Sequence, residues 1–267
     1  MLHLGHIIYS NCFPVHARLI DRGCPAGVTM IDGVPSDLNR RLAAGELQVA
    51  PSSSIEFARH ADRYRIFPDL VIGANGPALS ILLVGRRPDT LGGRTVALPT
   101  ASATSVVLLK ILFRTRWQVE PVFVPFDQIR EDPFAAGAEA ALFIGDVALR
   151  ADLAPEAEAR VDLGEEWRAQ TGLPFAFAVW QASGGSAAEL RRLHESLIES
   201  RAYGAACRAD LARRYAGAFG LPAALLDRYW ANLVFTLDEP MQEGLKLFYR
   251  LAAEIGEIPA APPLVWL

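Results

Sequence analysis

The chain has 267 residues, 51% of them hydrophobic, and this length suits one large domain or two lobes around a sizeable core. Its formal net charge is −4 and it has no long block of Lys and Arg residues, which argues against a nucleic-acid-binding protein. Three cysteines without CxxC spacing disfavour a metal knuckle and a disulfide framework. A Cys12–Cys24 bridge stays open, although reduced thiols are the simpler interpretation.

The first 182 residues alternate between short apolar runs and helical patterns. In chain order these predict strand 4–9, helix 34–47, strand 47–51 ended by Pro51, serine-capped helix 52–60, strands 78–87 and 93–99, helix 100–115, and strands 140–149 and 174–182. Alternation of this kind is typical of parallel sheets joined by crossover helices. The sequence therefore predicts an α/β protein.

From about residue 185 the pattern is helical. Leu190, Leu193 and Leu197 form one apolar stripe, which we interpret as a face buried in the core. Asp238 is placed to cap the helix that follows it. The Pro-rich tail 259–267 cannot continue a helix, and we expect it to lie against a lobe.

No targeting or membrane-spanning segment is recognisable in the sequence. Its N-terminal stretch MLHLGHIIYS lacks the basic and long apolar regions of a secretory signal, and no run of about 18 apolar residues is present. We therefore expect a cytoplasmic protein with no membrane partner.

Small polar residues gather after several of the predicted strands. In an open α/β sheet, ligands bind beyond the carboxyl ends of the strands. Unpaired N–H groups and the helix dipole favour an anion at the helix starts that follow, although single Ser and Thr residues also cap ordinary helices. The residues concerned are Ser10, Asn11, Ser52, Ser53, Ser54, Thr100, Ser102, Thr104, Ser105 and Asp146, with Ser80 inside the strand predicted over 78–87.

Several common site motifs are missing. The sequence has no GxGxxG, Walker or HExxH pattern, and its five histidines lack metal-ligand spacing. No His–Asp pair is evident for Cys12, which argues against a nucleophilic thiol. We therefore expect no metal and no cofactor.

Four segments taken together resemble one family. They are IIYSNCFP, GVPSDLNRRLAAGELQVAPSSSIEFARHADRYRIFPDL, GPALSILLVGRR and GGRTVALPTASATSVVLLKILF. The combination resembles the chorismate dehydratases of the futalosine route to menaquinone, densely over residues 4–115 and more loosely afterwards. That family more often has Leu before the Asn of the first loop, where this chain has Ser10.

The resemblance implies a type II periplasmic-binding-protein-like fold. Two α/β lobes would be joined by two crossing segments, and the ligand would lie in the cleft between them. We place the crossings near 86–90 and 178–184. Lobe one would then be 1–86 plus 184–267, and lobe two would be 87–183.

The resemblance also implies roles for individual residues. Asn11 and Ser80, carried over by motif, would be catalytic and lie beside the ligand. The substrate, a small dicarboxylate, would be held by a set of mostly neutral hydrogen-bonding residues: Ser10, Ser52, Ser53, Ser102, Thr104, Ser105 and Asp146.

The implied reaction converts chorismate to 3-[(1-carboxyvinyl)oxy]benzoate and water, a hydro-lyase reaction without a cofactor. The enolpyruvyl carboxylate of the substrate is one candidate base. One alternative is the 1,4-dihydroxy-6-naphthoate synthase of the same pathway, which ranks lower because His194 is the single His beyond residue 60. A second alternative is a non-catalytic solute-binding protein for a small carboxylate.

Overall fold

The computed structural model describes residues 1–150, 154 and 156–267 and contains two β-sheets with helices packed against them. The strands are β1 (Leu2–Ile7), β2 (Val28–Gly33), β3 (Val49–Ser53), β4 (Arg65–Ala74), β5 (Ile81–Gly85), β6 (Thr95–Pro99), β7 (Val122–Phe126), β8 (Ala140–Ile144), β9 (Ala159–Asp162), β10 (Phe175–Ala182) and β11 (Leu233–Val234). The α-helices are α1 (Phe13–Arg22), α2 (Pro35–Ala43), α3 (Ser54–Arg59), α4 (Thr104–Leu112), α5 (Gly145–Ala148), α6 (Leu163–Thr171), α7 (Ala187–Ala206), α8 (Arg208–Phe219), α9 (Ala223–Asn232) and α10 (Glu239–Glu254).

Both sheets are mixed, and their strand orders are β11-β4-β10-β3-β1-β2 and β7-β6-β8-β5-β9. In the first sheet β1 runs parallel to β3, as predicted, and to β2, a strand that the sequence analysis does not include, but β10 runs antiparallel to both of its neighbours. In the second sheet β6 is parallel to β7 and β8, whereas β5 is antiparallel to β8 and β9. The prediction of parallel sheets is therefore right for β1–β3 and β6–β8. It is wrong for β5 and β10, which are the first strands after the chain passes from one sheet to the other.

The chain changes sheet at positions that differ from the predicted crossings. It leaves the first sheet after β4 and enters the second at β5, so the first crossing spans 75–80 and not 86–90. It returns after α6 and enters the first sheet at β10, so the second crossing spans 172–174 and not 178–184. We therefore propose lobe one as 1–74 plus 175–267, and lobe two as the described part of 81–171.

Several predicted elements have different ends in the structure. The strand expected to stop at Pro51 continues to Ser53, because β10 pairs along it and Trp180 lies opposite Pro51. The helix expected from residue 100 begins at Thr104. The strand expected over 140–149 ends at Ile144, and α5 begins there at Gly145.

The C-terminal part follows the prediction. The Asp238 carboxylate accepts a hydrogen bond of 3.0 Å from the Met241 N–H and caps α10. The Pro-rich tail lies against the edge of the first lobe, where the Leu267 N–H donates to the Ile66 carbonyl at 3.0 Å. Among the described residues, no helix combines the length and the apolar character that a membrane span requires.

The buried apolar core continues from one lobe into the other. It includes Leu4 and Val71 of the first sheet together with Leu83 and Leu142 of the second. Burial of this kind is the main favourable contribution to folding. The two lobes therefore share a continuous apolar contact beside the polar residues that lie between them.

Helix α1 directly follows the loop that contains Asn11, and α1 packs very closely on α7. Gly204 of α7 faces the Pro14 carbonyl oxygen of α1, and a Cβ at Gly204 would overlap that oxygen. The close approach of two backbones is a use of glycine that no other residue can replace. The position of α1 therefore depends on a missing side chain in α7.

We expect Gly204→Ala to lower the free energy of unfolding by about 2 kcal/mol, because the added methyl group overpacks the contact between α1 and α7. Chemical denaturation measures this change. Gly217→Ala is the matched control, since Gly217 also lies in a helix and a methyl group added there would meet no neighbouring atom within 4 Å. The control should gain about 0.5–1 kcal/mol from helix propensity. Equal effects at the two positions would contradict the close packing.

Candidate active site

The loop between β1 and α1 is held by groups from distant parts of the chain. The Ser10 N–H lies 3.1 Å from both carboxylate oxygens of Asp146, and the Ser10 hydroxyl donates to the same carboxylate. The Ser10 carbonyl accepts a 2.8 Å hydrogen bond from the indole N–H of Trp230. Ser10 is fully buried. The loop is therefore held at the Ser10 N–H by α5 and at the Ser10 carbonyl by α9.

Asn11 follows Ser10 and is the one predicted catalytic residue with an unused buried polar atom. Its side-chain Oδ1 is buried and has no hydrogen-bond partner among the described residues. Leaving such an oxygen unpaired costs about 1–3 kcal/mol. The amide oxygen thus lacks the partner that such an atom normally has, and a role of Asn11 in ligand binding stays a prediction.

Ser80 is the last residue of the first crossing, directly before β5, and its side chain forms a hydrogen bond with α9. Its hydroxyl lies 2.7 Å from the phenol oxygen of Tyr229, and its carbonyl accepts a 2.9 Å hydrogen bond from the Gly145 N–H. Burial raises the pKa of Tyr229, so the phenol keeps its proton at neutral pH. The sequence does not point to Tyr229, because this residue lies 149 positions from Ser80 in a helix with no site motif.

The serines at the end of β3 are bound within lobe one. The Ser52 hydroxyl donates to Asn39 Oδ1 at 2.5 Å, and the Ser53 N–H donates to the same oxygen at 3.2 Å. The Ser54 hydroxyl donates to the Ala176 carbonyl at 2.8 Å. The proton of Ser52 is thus already used, whereas the hydroxyl of Ser53 is not part of this arrangement.

The three predicted residues at the start of α4 have separate tasks. Ser102 Oγ accepts a 3.3 Å hydrogen bond from the Ser105 N–H, which closes the turn before the helix. Thr104 Oγ1 accepts a 3.2 Å hydrogen bond from the Ile55 N–H and lies 3.3 Å from Ser54 Oγ. Thr104 therefore connects α4 of lobe two with the start of α3 in lobe one.

Asp146 is the one acidic residue among the predicted substrate-binding residues. Burial raises the pKa of Asp146, and the hydrogen bonds from Ser10 partly offset this effect. Hydrogen bonds thus join Ser10 to Asp146 and Ser102 to Ser105, but within the described residues none joins Asn11 to Ser80. Direct contact of these residues with a substrate stays a prediction.

A cluster beside the loop contains His6, Cys12 and His16, whose potential metal-ligand atoms lie within 4.8 Å of one another. The Trp180 indole N–H donates to His16 Nε2 at 3.2 Å, so a neutral His16 carries its proton on Nδ1. That proton points to His6 Nδ1 at 2.8 Å. The rings are thus paired by hydrogen bonds, which fits a buried neutral network better than a metal site.

Cys12 is a poor nucleophile in this environment. Its Sγ lies 3.7 Å from His16 Nδ1, a neighbour that the sequence did not reveal. Burial raises the pKa of the Cys12 thiol to about 12. Since the thiolate is the reactive form of cysteine, the thiol is unreactive at neutral pH. This agrees with the expectation that Cys12 does not act as a nucleophile.

The fold is shared with solute-binding proteins. The chain is similar in structure to protein AF1704 from Archaeoglobus fulgidus, with a TM-score of 0.78 and 21% identity over 96% of this chain and 98% of that one. It is also similar to the periplasmic aliphatic sulphonate binding protein SsuA from Escherichia coli, with a TM-score of 0.68 and 15% identity over 100% and 92% of the two chains. The molecule therefore has the two-lobed type II periplasmic-binding-protein-like fold.

The sequence defines the family more narrowly than the fold does. Residues 2–254 match the protein family described as "Menaquinone biosynthesis", and the chain belongs to that family. It is also 33% identical to a chorismate dehydratase from Thermus thermophilus over 278 aligned positions, which cover 97% of this chain and 96% of its relative. The family suggested by the sequence motifs is thus confirmed.

The buried histidines predict a pH-dependent stability. Burial lowers the pKa of His6, against an opposing effect of Asp32, and lowers the pKa of His16 still further. The unfolded chain binds protons at these rings below about pH 6.5, whereas the folded chain does not. The free energy of unfolding should therefore fall as the pH is lowered from about 7 to about 5, by up to about 1.4 kcal/mol per pH unit for each such histidine.

Denaturant titrations at several pH values measure this slope. His16→Gln should flatten it, because one of the two buried rings is removed. The wild-type protein titrated over the same pH range is the reference for this slope. Identical slopes in the wild type and His16→Gln would contradict the role of the buried network.

Proposed function

We propose that this chain catalyses the dehydration of chorismate in menaquinone biosynthesis, as a carbon–oxygen lyase. The observation that carries the proposal is the similarity along nearly the whole chain to a relative named chorismate dehydratase. The family match over residues 2–254 supports the same pathway. The two-lobed fold supports binding of a small molecule between the lobes, where Ser10 contacts Asp146 and Thr104 contacts the Ile55 N–H.

The proposed reaction removes one proton and one hydroxide from the substrate ring. The hydrogen leaves the ring carbon that carries the enolpyruvyl ether, which is vinylogous to the ring carboxylate. The neighbouring ring carbon loses its hydroxyl group, so the products are 3-[(1-carboxyvinyl)oxy]benzoate and one water molecule. Aromatisation supplies the driving force. This chemistry requires no oxidant, reductant or cofactor.

Neutral hydrogen-bonding groups suit this reaction. Charge moves into the ring carboxylate as the proton leaves, and fixed donors around that carboxylate stabilise the charge. Asn11 has a free buried amide oxygen, and Ser80 is held by a phenol that keeps its proton. We assign to Asn11 and Ser80 either the orientation of the enolpyruvyl carboxylate or assistance to the departing hydroxyl, whose O–H can donate to the Asn11 amide oxygen.

The base in this scheme is the enolpyruvyl carboxylate of the substrate itself. The predicted site residues offer one acidic side chain, Asp146, whose carboxylate is already bonded to Ser10. An intramolecular base held close to the C–H bond gains the large advantage of proximity. Ser53, Ser102 and Ser105 remain the proposed contacts to the substrate carboxylates, whereas the hydroxyl groups of Ser52 and Thr104 bind neighbouring protein groups.

The two alternative functions receive less support. A 1,4-dihydroxy-6-naphthoate synthase would use a His base, but His194 Nε2 is bonded to the Pro68 carbonyl at 2.9 Å. A solute-binding protein would share the fold, and incubation with chorismate separates it from an enzyme. The cytoplasmic location stays a prediction.

The direct test is incubation of the purified protein with chorismate, followed by chromatography of the products. We expect loss of chorismate and formation of one equivalent of the carboxyvinyloxy-benzoate, in the presence of a metal chelator as well as in its absence. Tight binding of chorismate without turnover would instead support a solute-binding protein. The absence of both binding and turnover would overturn the proposed function.

Asn11→Asp and Ser80→Ala should each lower kcat at least tenfold, because they remove groups assigned to the reacting end of the substrate. Each should change Tm by no more than a few degrees, which corresponds to about 1 kcal/mol for a chain of this size. Asn75→Asp is the matched control, since Asn75 is exposed in the first crossing and should keep the wild-type rate. Wild-type kcat in Asn11→Asp and Ser80→Ala would exclude both residues from the mechanism.

A further inference from the structure

We propose that Asp146 is a positioning residue, which joins lobe two to the Ser10–Asn11 peptide of lobe one and thereby holds Asn11 in place for the reaction. This inference rests on the proposed function for its catalytic consequence. It replaces the expectation that Asp146 binds the substrate directly. The contact between Asp146 and Ser10, which joins the lobes, is observed in the structure and does not depend on the proposed function.

The contact between Asp146 and Ser10 uses both oxygens of the carboxylate. One oxygen accepts from the Ser10 hydroxyl, and the Ser10 N–H lies 3.1 Å from each of the two oxygens. Hydrogen bonds to an ionised acceptor are about twice as strong as neutral ones. Ser10 is fully buried and Asp146 is half-buried, so the contact is largely screened from water. The carboxylate therefore restrains the main chain and the side chain of Ser10 together.

The residues around Asp146 are fixed in the same way. Gly145 has a φ of 62°, and a Cβ there would lie 2.9 Å from Cδ2 of the Tyr9 ring, so the ring packs directly on the backbone. Gln128 accepts from the Ile144 N–H at 3.0 Å and donates to the Ile144 carbonyl at 3.2 Å. The end of β8 thus provides a rigid support, and two successive residues of the loop, Tyr9 and Ser10, rest on it.

Electrostatics favour this role over direct contact with the substrate. Chorismate carries two carboxylates, and a third negative charge at hydrogen-bond distance would strongly repel either one in a partly buried site. Asp146 instead faces the N–H and hydroxyl donors of Ser10, and the positive charge of Arg150 favours its ionised form. The two donors of Ser10 engage both of its oxygens.

The consequence for catalysis follows from the position of Asn11. It is the next residue after Ser10, and its Oδ1 is one of four buried side-chain atoms without a hydrogen-bond partner among the described residues. A loop that rotates by a few tens of degrees moves this oxygen away from a bound substrate, and a misplacement of about 1 Å can cost about 100-fold in rate. Loss of the Asp146 contact should therefore lower kcat through Asn11, with a small effect on KM.

The first experiment measures the contact without any substrate. Amide hydrogen exchange in the segment 8–13 should be faster in Asp146→Asn than in the wild type, because an amide offers one acceptor oxygen where the carboxylate offers two. Asp62→Asn is the matched control, since Asp62 is exposed, and it should exchange at the wild-type rate. Unchanged exchange in Asp146→Asn would overturn the proposal, whatever reaction the protein catalyses. If Asp146→Asn does not fold, Ser10→Ala gives the same comparison.

The second experiment connects the contact to Asn11 by a double-mutant cycle. We expect Asp146→Asn to lower kcat at least tenfold with a change in KM below about threefold. Added to Asn11→Ala, it should lower kcat by less than about threefold further, because its effect passes through Asn11. Full additivity of the two effects would show that Asp146 acts on its own and would overturn the positioning role. Lack of activity in the wild type would overturn the proposed function and leave the exchange result to decide the contact.

Discussion

The contact between the Asp146 carboxylate and Ser10 is the constraint on which the rest of the site depends. It brings the end of a strand in the second sheet against the loop after the first strand of the chain, across 136 residues of sequence. Thr104 and the Ile55 N–H make a second such contact at 3.2 Å. These two contacts connect polar residues of the two proposed lobes directly.

The chemistry available between the lobes is that of neutral amide and hydroxyl groups held by their neighbours. The Ser80 hydroxyl is paired with the Tyr229 phenol, and the Ser52 hydroxyl is paired with Asn39. Buried groups of this kind reorient little when charge develops nearby, so their stabilisation of that charge is not offset by rearrangement. A site with one committed carboxylate and several neutral donors suits an acidic substrate that supplies its own base.

Local signals in the sequence are enough to predict much of the fold. Apolar runs predict β1 and β10, and Asp238 predicts the cap of α10. These elements are predictable because each depends on residues that are neighbours in the sequence. β2 is not predicted because it lies at an edge of the first sheet, where its side chains are half-buried or exposed and show no apolar run. The predicted crossings are wrong because a buried strand such as β5 looks the same in either sheet.

The members of the site are predictable from the sequence, but their contacts are not. Strand ends and motif resemblance lead to Asn11, Ser80 and Asp146, since polar residues after strands are visible in the sequence. Tyr229 and Trp230, which bond to Ser80 and Ser10, lie 149 and 220 residues further along the chain. Pairings over such separations depend on the packing of α9, for which the sequence carries no local signal.

Because Cys12 is buried, the rate at which its thiol reacts with a reagent measures how often this part of the molecule becomes exposed. Cys24 and Cys207 are partly accessible, so an alkylating reagent can reach them in the native state. Cys12 lies one residue after Asn11, is fully buried and is the N-cap residue of α1, so a reagent reaches it only when the start of that helix is transiently exposed. Its rate of modification therefore reports the transient exposure of the lobe interior, at the position where the bound molecule would be processed.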